Sequence, residues 1–105
     1  MTTRDPDDRI RRHVEYVCEP TDAEHEIIDP WHYKLETQAH KAAPRLFSTF
    51  PEAAYVDVAR TIRHGSPNGG DVGDYTYEYI RRYYRDGRVV ALRTEQGLYP
   101  MEVSA

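Results

Sequence analysis

YTYEYIRRYYRDGR, which runs from Tyr75 to Arg88, is the stretch that decides the fold predicted for this chain. In residues 75–84, tyrosines at every second position from Tyr75 to Tyr79 alternate with other residue types. A period of two is typical of a β-strand with two distinct faces. Asp86-Gly87 then favours a two-residue hairpin turn, because both central residues of a type I′ turn need a positive φ. The stretch therefore predicts a strand at 75–84, a tight turn, and a second strand at 88–94.

The residues on either side of this hairpin extend the prediction. A turn through Gln96-Gly97 leads to a third strand at 98–103, which completes an antiparallel meander. Before the hairpin, SPNGGDVGD at 66–74 holds three glycines and one proline. Such a composition is typical of a loop, and we expect this one to be flexible.

The first half of the chain predicts helices. Asp5-Pro6 begins the first, which stops at Pro20, and a second start appears at Thr21-Asp22. Asp29-Pro30 begins a helix that Pro44 must end or kink. The last helix runs from Pro51 to Gly65 and buries a stripe of four residues: Ala54, Tyr55, Val58 and Ile62. The fold class is therefore α+β, with N-terminal helices followed by a three-stranded antiparallel β-meander and the helices packed on one sheet face. We predict one domain over residues 1–105, of which residues 1–5 are frayed.

Composition limits the function classes. The net charge of −4 over 105 residues argues against a protein that coats nucleic acid through its overall field. Charge is unevenly spread: residues 75–93 hold five arginines against two acids, and residues 5–29 hold nine acids against three arginines. The single cysteine, Cys18, fits a reducing compartment, and no apolar run is long enough to span a membrane. We expect a cytoplasmic protein that binds no membrane.

Three residues at helical spacing raise the question of a metal site. His32, Glu36 and His40 lie at i, i+4 and i+8 of the predicted third helix, but positions i and i+8 are roughly 12 Å apart, too far for one ion. A solvated helix face is the favoured interpretation. We predict no metal and no cofactor.

The hairpin tip is the candidate partner-binding site. A strand rich in tyrosine that ends in arginines suits contact with a polyanion or with a protein surface, although packing within the sheet accounts for most of its tyrosines. The predicted contact residues are Arg81, Arg82, Tyr83, Tyr84, Arg85 and Arg88. The leading hypothesis is a small interaction module that binds a protein or nucleic-acid partner, with an undetermined oligomeric state that allows a homodimer.

A second hypothesis is a metal-independent ribonuclease. His40 on a helix and arginines on an opposing sheet would supply a proton acceptor and phosphate-binding cations. AHKAAPRLFSTFPEAAYVDVARTIRHG, followed by a strand meander, resembles small RelE/barnase-like ribonuclease-toxin folds over residues 38–103. The residues that carry the resemblance are His40, Arg45, Phe50, Glu52, Ala53 and Gly65. The resemblance implies His40 as the acid/base and Arg45 or Arg81 as the phosphate anchor.

A third hypothesis rests on the acidic N-terminal part. Asp7, Asp8 and Glu15 would let the predicted helices mimic a nucleic-acid backbone, as in an inhibitor or anti-defence protein. Such a mimic would bind a basic partner and lose that binding when these three acids are neutralised. The sequence leaves all three hypotheses open.

Overall fold

A six-stranded antiparallel sheet dominates the computed structural model, which describes residues 12–64 and 75–103. The order of the strands across the sheet is β2-β1-β3-β4-β5-β6, so β3 and β4 lie at its centre and β1 pairs with β3. The strands are β1 (Arg12–Thr21), β2 (Trp31–Tyr33), β3 (Tyr55–His64), β4 (Tyr75–Tyr84), β5 (Val89–Glu95) and β6 (Tyr99–Glu102).

One helical segment, residues 36–49, covers one face of the sheet. It consists of α1 (Glu36–Ala42), a 3₁₀ turn (Ala43–Arg45) and α2 (Leu46–Thr49). Pro44 lies in the 3₁₀ turn and has no amide hydrogen to donate, so α1 ends just before it as the sequence predicts. Alanines let the segment lie close to the sheet, and the buried core between them comprises Cys18, Ala39, Ala43, Leu46, Phe47, Ala53, Val56 and Val58.

The predicted α+β fold with N-terminal helices before a three-stranded meander is wrong. Strands β1 and β3 occupy two of the predicted helices, and β2 occupies the start of a third. The error has a physical cause, because apolar residues four apart, such as Val58 and Ile62, satisfy the helical period and also the period of two. In addition, β3 is buried on both faces at Val56 and Asp57, so it lacks the alternation of a half-exposed strand.

The C-terminal strands agree with the prediction, and their turns differ in detail. Residues 75–84 form β4, and β5 and β6 begin within one residue of their predicted starts. At the first turn Gly87 has a φ of 96° and Asp86 does not have a positive φ, so only the glycine supplies the left-handed conformation. At Gln96-Gly97 both φ values are positive and Leu98 donates to the Glu95 carbonyl, so the type I′ turn lies here.

A β-bulge in β4 decides which hairpin residue points to which face. Val58 pairs with Arg81 and the next residue, Ala59, pairs with Tyr79, so Ile80 is an extra residue in β4. Strict alternation predicts Tyr77, Tyr79 and Tyr83 on one face. The bulge instead directs Tyr83 to the helical segment, whereas Tyr79 lies on the opposite face.

Some predictions concern residues outside those described. The start of the first predicted helix, the frayed residues 1–5, Gly65 and the loop at 66–74 are among them. Within residues 12–64 and 75–103, no helix is both long enough and apolar enough to cross a membrane.

Candidate functional site

The helical segment and the hairpin meet at His40. Its Nδ1 atom lies 2.6 Å from the Tyr83 hydroxyl, and its Nε2 atom lies 3.1 Å from Oε2 of Glu36. An ionised Glu36 can only accept a hydrogen bond, so Nε2 carries the hydrogen and Nδ1 accepts from the Tyr83 hydroxyl. The His40 side chain is 18% exposed, which leaves the group near the surface but held in one orientation.

Arg81 completes this group, which we call the His40 relay: Glu36, His40, Tyr83 and Arg81. Burial raises the pKa of Tyr83 above its usual value, and the neighbouring Arg81 guanidinium acts in the opposite direction. A cation beside the hydroxyl stabilises the phenolate, and the imidazole can take up its proton. Because burial outweighs the arginine, Tyr83 keeps its hydrogen and donates it to Nδ1 of His40.

The structure thus brings together two of the three residues predicted for catalysis. His40 and Arg81 both adjoin Tyr83, but Arg45 lines a different depression, on the β2 side of the helical segment. Glu36 shares a helix with His40 as predicted, whereas His32 lies in β2 and pairs with Glu15 at 3.5 Å. The predicted helical face of His32, Glu36 and His40 does not exist.

The depression that contains Arg45 is an open cleft of about 500 Å³, which we call the aromatic–cationic cleft. Trp31 and Tyr33 reach it from β2, and Lys41 and Arg45 reach it from the helical segment. Its lining consists of Trp31, Tyr33, Gln38, Lys41, Ala42, Arg45, Leu46 and Thr49. No carboxylate is among these lining residues, so the lining combines aromatic surface with two cations, Lys41 and Arg45.

Trp31 is held at the mouth of this cleft with much of its ring accessible. Its side chain packs edge-on against Phe50 with ring centroids 6.4 Å apart, and the residue is 42% exposed. Strand β2 fixes its position by pairing Trp31 with Cys18, which is fully buried. A half-exposed tryptophan on a short edge strand is available for stacking against a ligand.

Most of the predicted hairpin contact residues are engaged within the molecule. Arg82 forms two hydrogen bonds to Asp57, at 2.7 and 3.0 Å, and Tyr84 hydrogen-bonds to Glu102. Arg85 donates to backbone carbonyls of the helical segment and the following loop, and Arg88 lies 4.1 Å from the centre of the Tyr84 ring. Their charges stabilise the fold, which leaves less of the tip for a partner.

Sequence reasoning missed the aromatic residues of the cleft. Trp31 falls within the helix predicted to begin at Asp29-Pro30, so its place on a strand beside Lys41 and Arg45 could not be inferred. A usable signal was present, because WHY at 31–33 holds two large aromatic residues in alternation after a proline. The single cysteine, Cys18, is fully buried, and burial raises the pKa of its thiol to about 12.

Comparisons with protein-family models, with curated proteins and with solved structures found no significant match to this chain. The resemblance to ribonuclease toxins therefore stays a prediction. So does the backbone-mimic hypothesis, since Asp7 and Asp8 lie outside the described residues.

Proposed function

We propose that this protein is a small binding module for single-stranded nucleic acid, RNA in particular, and that the ligand occupies the aromatic–cationic cleft. The observation that supports this is the convergence of Trp31 and Tyr33 with Lys41 and Arg45 around one open space. Proteins that bind single strands combine aromatic rings for base stacking with cations that follow the phosphates. The cleft contains both elements within a chain whose net charge is −4.

The placement of the two cations suits a phosphate backbone. Lys41 is in the last turn of α1, and Arg45 follows one turn later at the end of the 3₁₀ turn. Residues four apart on a helix lie about 5–6 Å from each other, comparable with the spacing of adjacent phosphates on a flexible strand. A bound strand would place bases against Trp31 and Tyr33 and phosphates near Lys41 and Arg45.

A single strand fits better than a duplex. Reading by stacking needs an unpaired base, because the bases of a duplex are stacked on each other and cannot reach Trp31. Each stacked base contributes about 1–3 kcal/mol. The volume of about 500 Å³ accommodates one or two nucleobases rather than a whole helix.

The hairpin keeps a secondary role in this proposal. Arg81 is exposed beside the helical segment, so it can extend the positive surface towards the hairpin. Arg82 and Arg85 are unsuitable, because their guanidinium groups are used within the fold. A protein partner on the same face, by contrast, would bind through contacts that do not depend on a base stacked against Trp31.

The fluorescence of the single tryptophan tests this function directly. Titration with a single-stranded oligoribonucleotide of about ten residues should quench Trp31, because a base stacks on its ring. The same oligonucleotide annealed to its complement serves as the control and should quench far less. Equal responses to the duplex and the single strand would rule out binding by stacking.

A second candidate function, metal-independent RNA cleavage, is favoured by the His40 relay. In such a reaction the 2′-hydroxyl loses its proton and its oxygen attacks the phosphorus, and the departing 5′-oxygen must receive a proton. His40 could accept the proton of the 2′-hydroxyl and Tyr83 could donate its own proton to the departing 5′-oxygen, after which a proton passes from His40 back to Tyr83 along their hydrogen bond; Arg81 could neutralise the phosphate. Cleavage in the presence of EDTA should disappear in His40→Ala, while the far-ultraviolet circular dichroism stays unchanged. Intact RNA across pH 5–8 with the unaltered protein would reject this candidate.

A further inference from the structure

The face of the sheet opposite the helical segment carries a second cleft, of about 280 Å³, which we call the acidic cleft. The tip of the β5–β6 hairpin forms one wall, and strands β1 and β3 form the floor. Its lining consists of Glu19, Thr21, His25, Ile27, Tyr55, Asp57, Tyr79, Leu98, Tyr99 and Pro100. The cleft therefore places two carboxylates beneath apolar and aromatic side chains.

The two carboxylates are direct neighbours across the sheet. Glu19 and Asp57 are paired residues of β1 and β3, and they are 5% and 2% exposed. Two buried like charges on paired residues of neighbouring strands destabilise each other unless each has a counterion. The sheet supplies one counterion, because Arg82 binds both oxygens of Asp57.

Glu19 has no comparable partner. Its Oε1 atom accepts a hydrogen bond of 3.1 Å from the Tyr79 hydroxyl. Among residues 12–64 and 75–103 no cationic side chain forms an ion pair with Glu19, whereas Asp57 pairs with Arg82. Burial, opposed by the Tyr79 hydrogen bond, raises the pKa of Glu19 to about 7. A buried carboxylate that faces an open cleft without a counterion marks a candidate functional site, and its negative charge would attract a cation from solution.

The walls indicate what kind of cation fits. A hard metal ion needs several oxygen ligands, but Asp57 is already taken by Arg82 and the walls contribute carbon from Ile27, Leu98 and Pro100. Aromatic rings from Tyr79 and Tyr99 add surfaces that attract organic cations. These surroundings favour an ammonium group attached to a short hydrocarbon chain.

We infer that the acidic cleft binds a small organic ammonium ion, with its nitrogen at Glu19 and its hydrocarbon part between Tyr99, Leu98 and Ile27. The cleft opens on the sheet face opposite the aromatic–cationic cleft, so this inference does not depend on the proposed RNA binding. A ligand of four to six carbon atoms matches the space of about 280 Å³.

Binding of such a ligand is coupled to the ionisation of Glu19. The groups that face Glu19 are Asp57 and Tyr55 of β3, Tyr79 and Arg82 of β4, Tyr99 and Glu102 of β6, and His25 of the β1–β2 loop. If only the ionised carboxylate binds, a pKa of about 7 makes the affinity about tenfold higher at pH 8 than at pH 6. His25 also lines the cleft, so His25→Gln is needed as a variant that should keep the pH dependence.

Calorimetric titration with n-butylammonium chloride tests the inference, with 1-butanol as the neutral analogue of the same length. We expect butylammonium to bind about tenfold more tightly at pH 8 than at pH 6, and butanol to bind at least tenfold more weakly than butylammonium. Glu19→Gln should abolish the preference for the cation, and the exposed control Glu52→Gln should keep it. Equal binding of butanol, no binding of butylammonium, or unchanged binding in Glu19→Gln overturns the inference.

A second variant keeps the test valid if Glu19→Gln does not fold. Tyr99 is 57% exposed and forms part of the wall without belonging to the core, so Tyr99→Ala should fold normally. It should weaken butylammonium binding several-fold and leave the pH dependence in place. Unchanged affinity in Tyr99→Ala would place the ligand elsewhere and contradict the inference.

Discussion

The Tyr83 hydroxyl lies 2.6 Å from Nδ1 of His40, and this contact joins β4 to the helical segment. The contact exists because Ile80 is an extra residue in β4. After this bulge, the side chains of β4 point to the opposite sheet faces from those that strict alternation predicts. Without the bulge, Tyr83 would share a face with Tyr79, on the side of Glu19. A single inserted residue thus separates the His40 relay from the acidic cleft.

Tyr83→Phe should destabilise the protein by about 1 kcal/mol, because it removes one partly buried hydrogen bond and keeps the ring. Urea denaturation measures this loss. Tyr99→Phe is the matched control, since that residue is 57% exposed, and it should change the free energy of unfolding by less than about 0.5 kcal/mol. A similar small effect from both substitutions would show that the Tyr83 contact does not stabilise the fold.

Arg82→Ala should be far more destabilising than Arg60→Ala. Arg82 and Asp57 have side chains that are 11% and 3% exposed, so removal of the arginine leaves a buried carboxylate without its counterion. We expect a loss of about 3–5 kcal/mol. Arg60 pairs with Glu78 at the surface, where both side chains are more than 40% exposed, and its loss should cost less than about 1 kcal/mol. Comparable losses in urea denaturation would contradict this assignment.

Stability should fall as pH rises from about 4.5 to about 7, because of Glu19. Its pKa is raised from 4.5 to about 7 by burial, so over this interval the native state keeps a proton that the unfolded state has lost. The contribution is full below pH 4.5 and is lost by pH 7, a change of about 3 kcal/mol. The difference in the free energy of unfolding between the unaltered protein and Glu19→Gln, measured against pH, isolates the contribution of Glu19. If the two curves run parallel, Glu19 does not cause the pH dependence.

Arg85→Ala should loosen the connection between α2 and β3. The guanidinium of Arg85 donates to carbonyl oxygens of Phe47, Phe50, Pro51 and Ala53, at 2.7–3.5 Å. Hydrogen bonds from a charged group contribute about 1.5–3 kcal/mol, and we expect a loss of that size with faster amide exchange at residues 50–54. Arg88→Ala, an exposed control in the same turn, should leave exchange there unchanged. Equal exchange in both variants would argue against the role of Arg85.

The parts of the fold that sequence reasoning predicted are those set by local signals. The alternation at 75–84 and the turn residues predicted strands β4 to β6, and Pro44 predicted the end of α1. Strands β1 and β3 were not predictable in the same way. Their apolar residues recur at every fourth position, which also fits a helix. The extended conformation is selected only when β1 and β3, which are far apart in the chain, pair with each other.

The candidate sites were predictable only in part, for a related reason. The resemblance implied His40 with Arg45 or Arg81, and the structure places His40 and Arg81, but not Arg45, beside Tyr83. Glu19 and Asp57 were both assigned to predicted helices, so nothing suggested that they are neighbours. Their juxtaposition depends on the register of β1 against β3, which local sequence does not encode.

The most direct test of the proposed function is the affinity for single-stranded RNA after charge reversal in the aromatic–cationic cleft. Lys41→Glu combined with Arg45→Glu is compared with Arg93→Glu, whose side chain is 61% exposed on β5. With two phosphate contacts, we expect the affinity of the unaltered protein to fall roughly sevenfold between 50 and 200 mM salt. The double variant should lose Trp31 quenching while Arg93→Glu retains it; undiminished binding by the double variant would contradict the account.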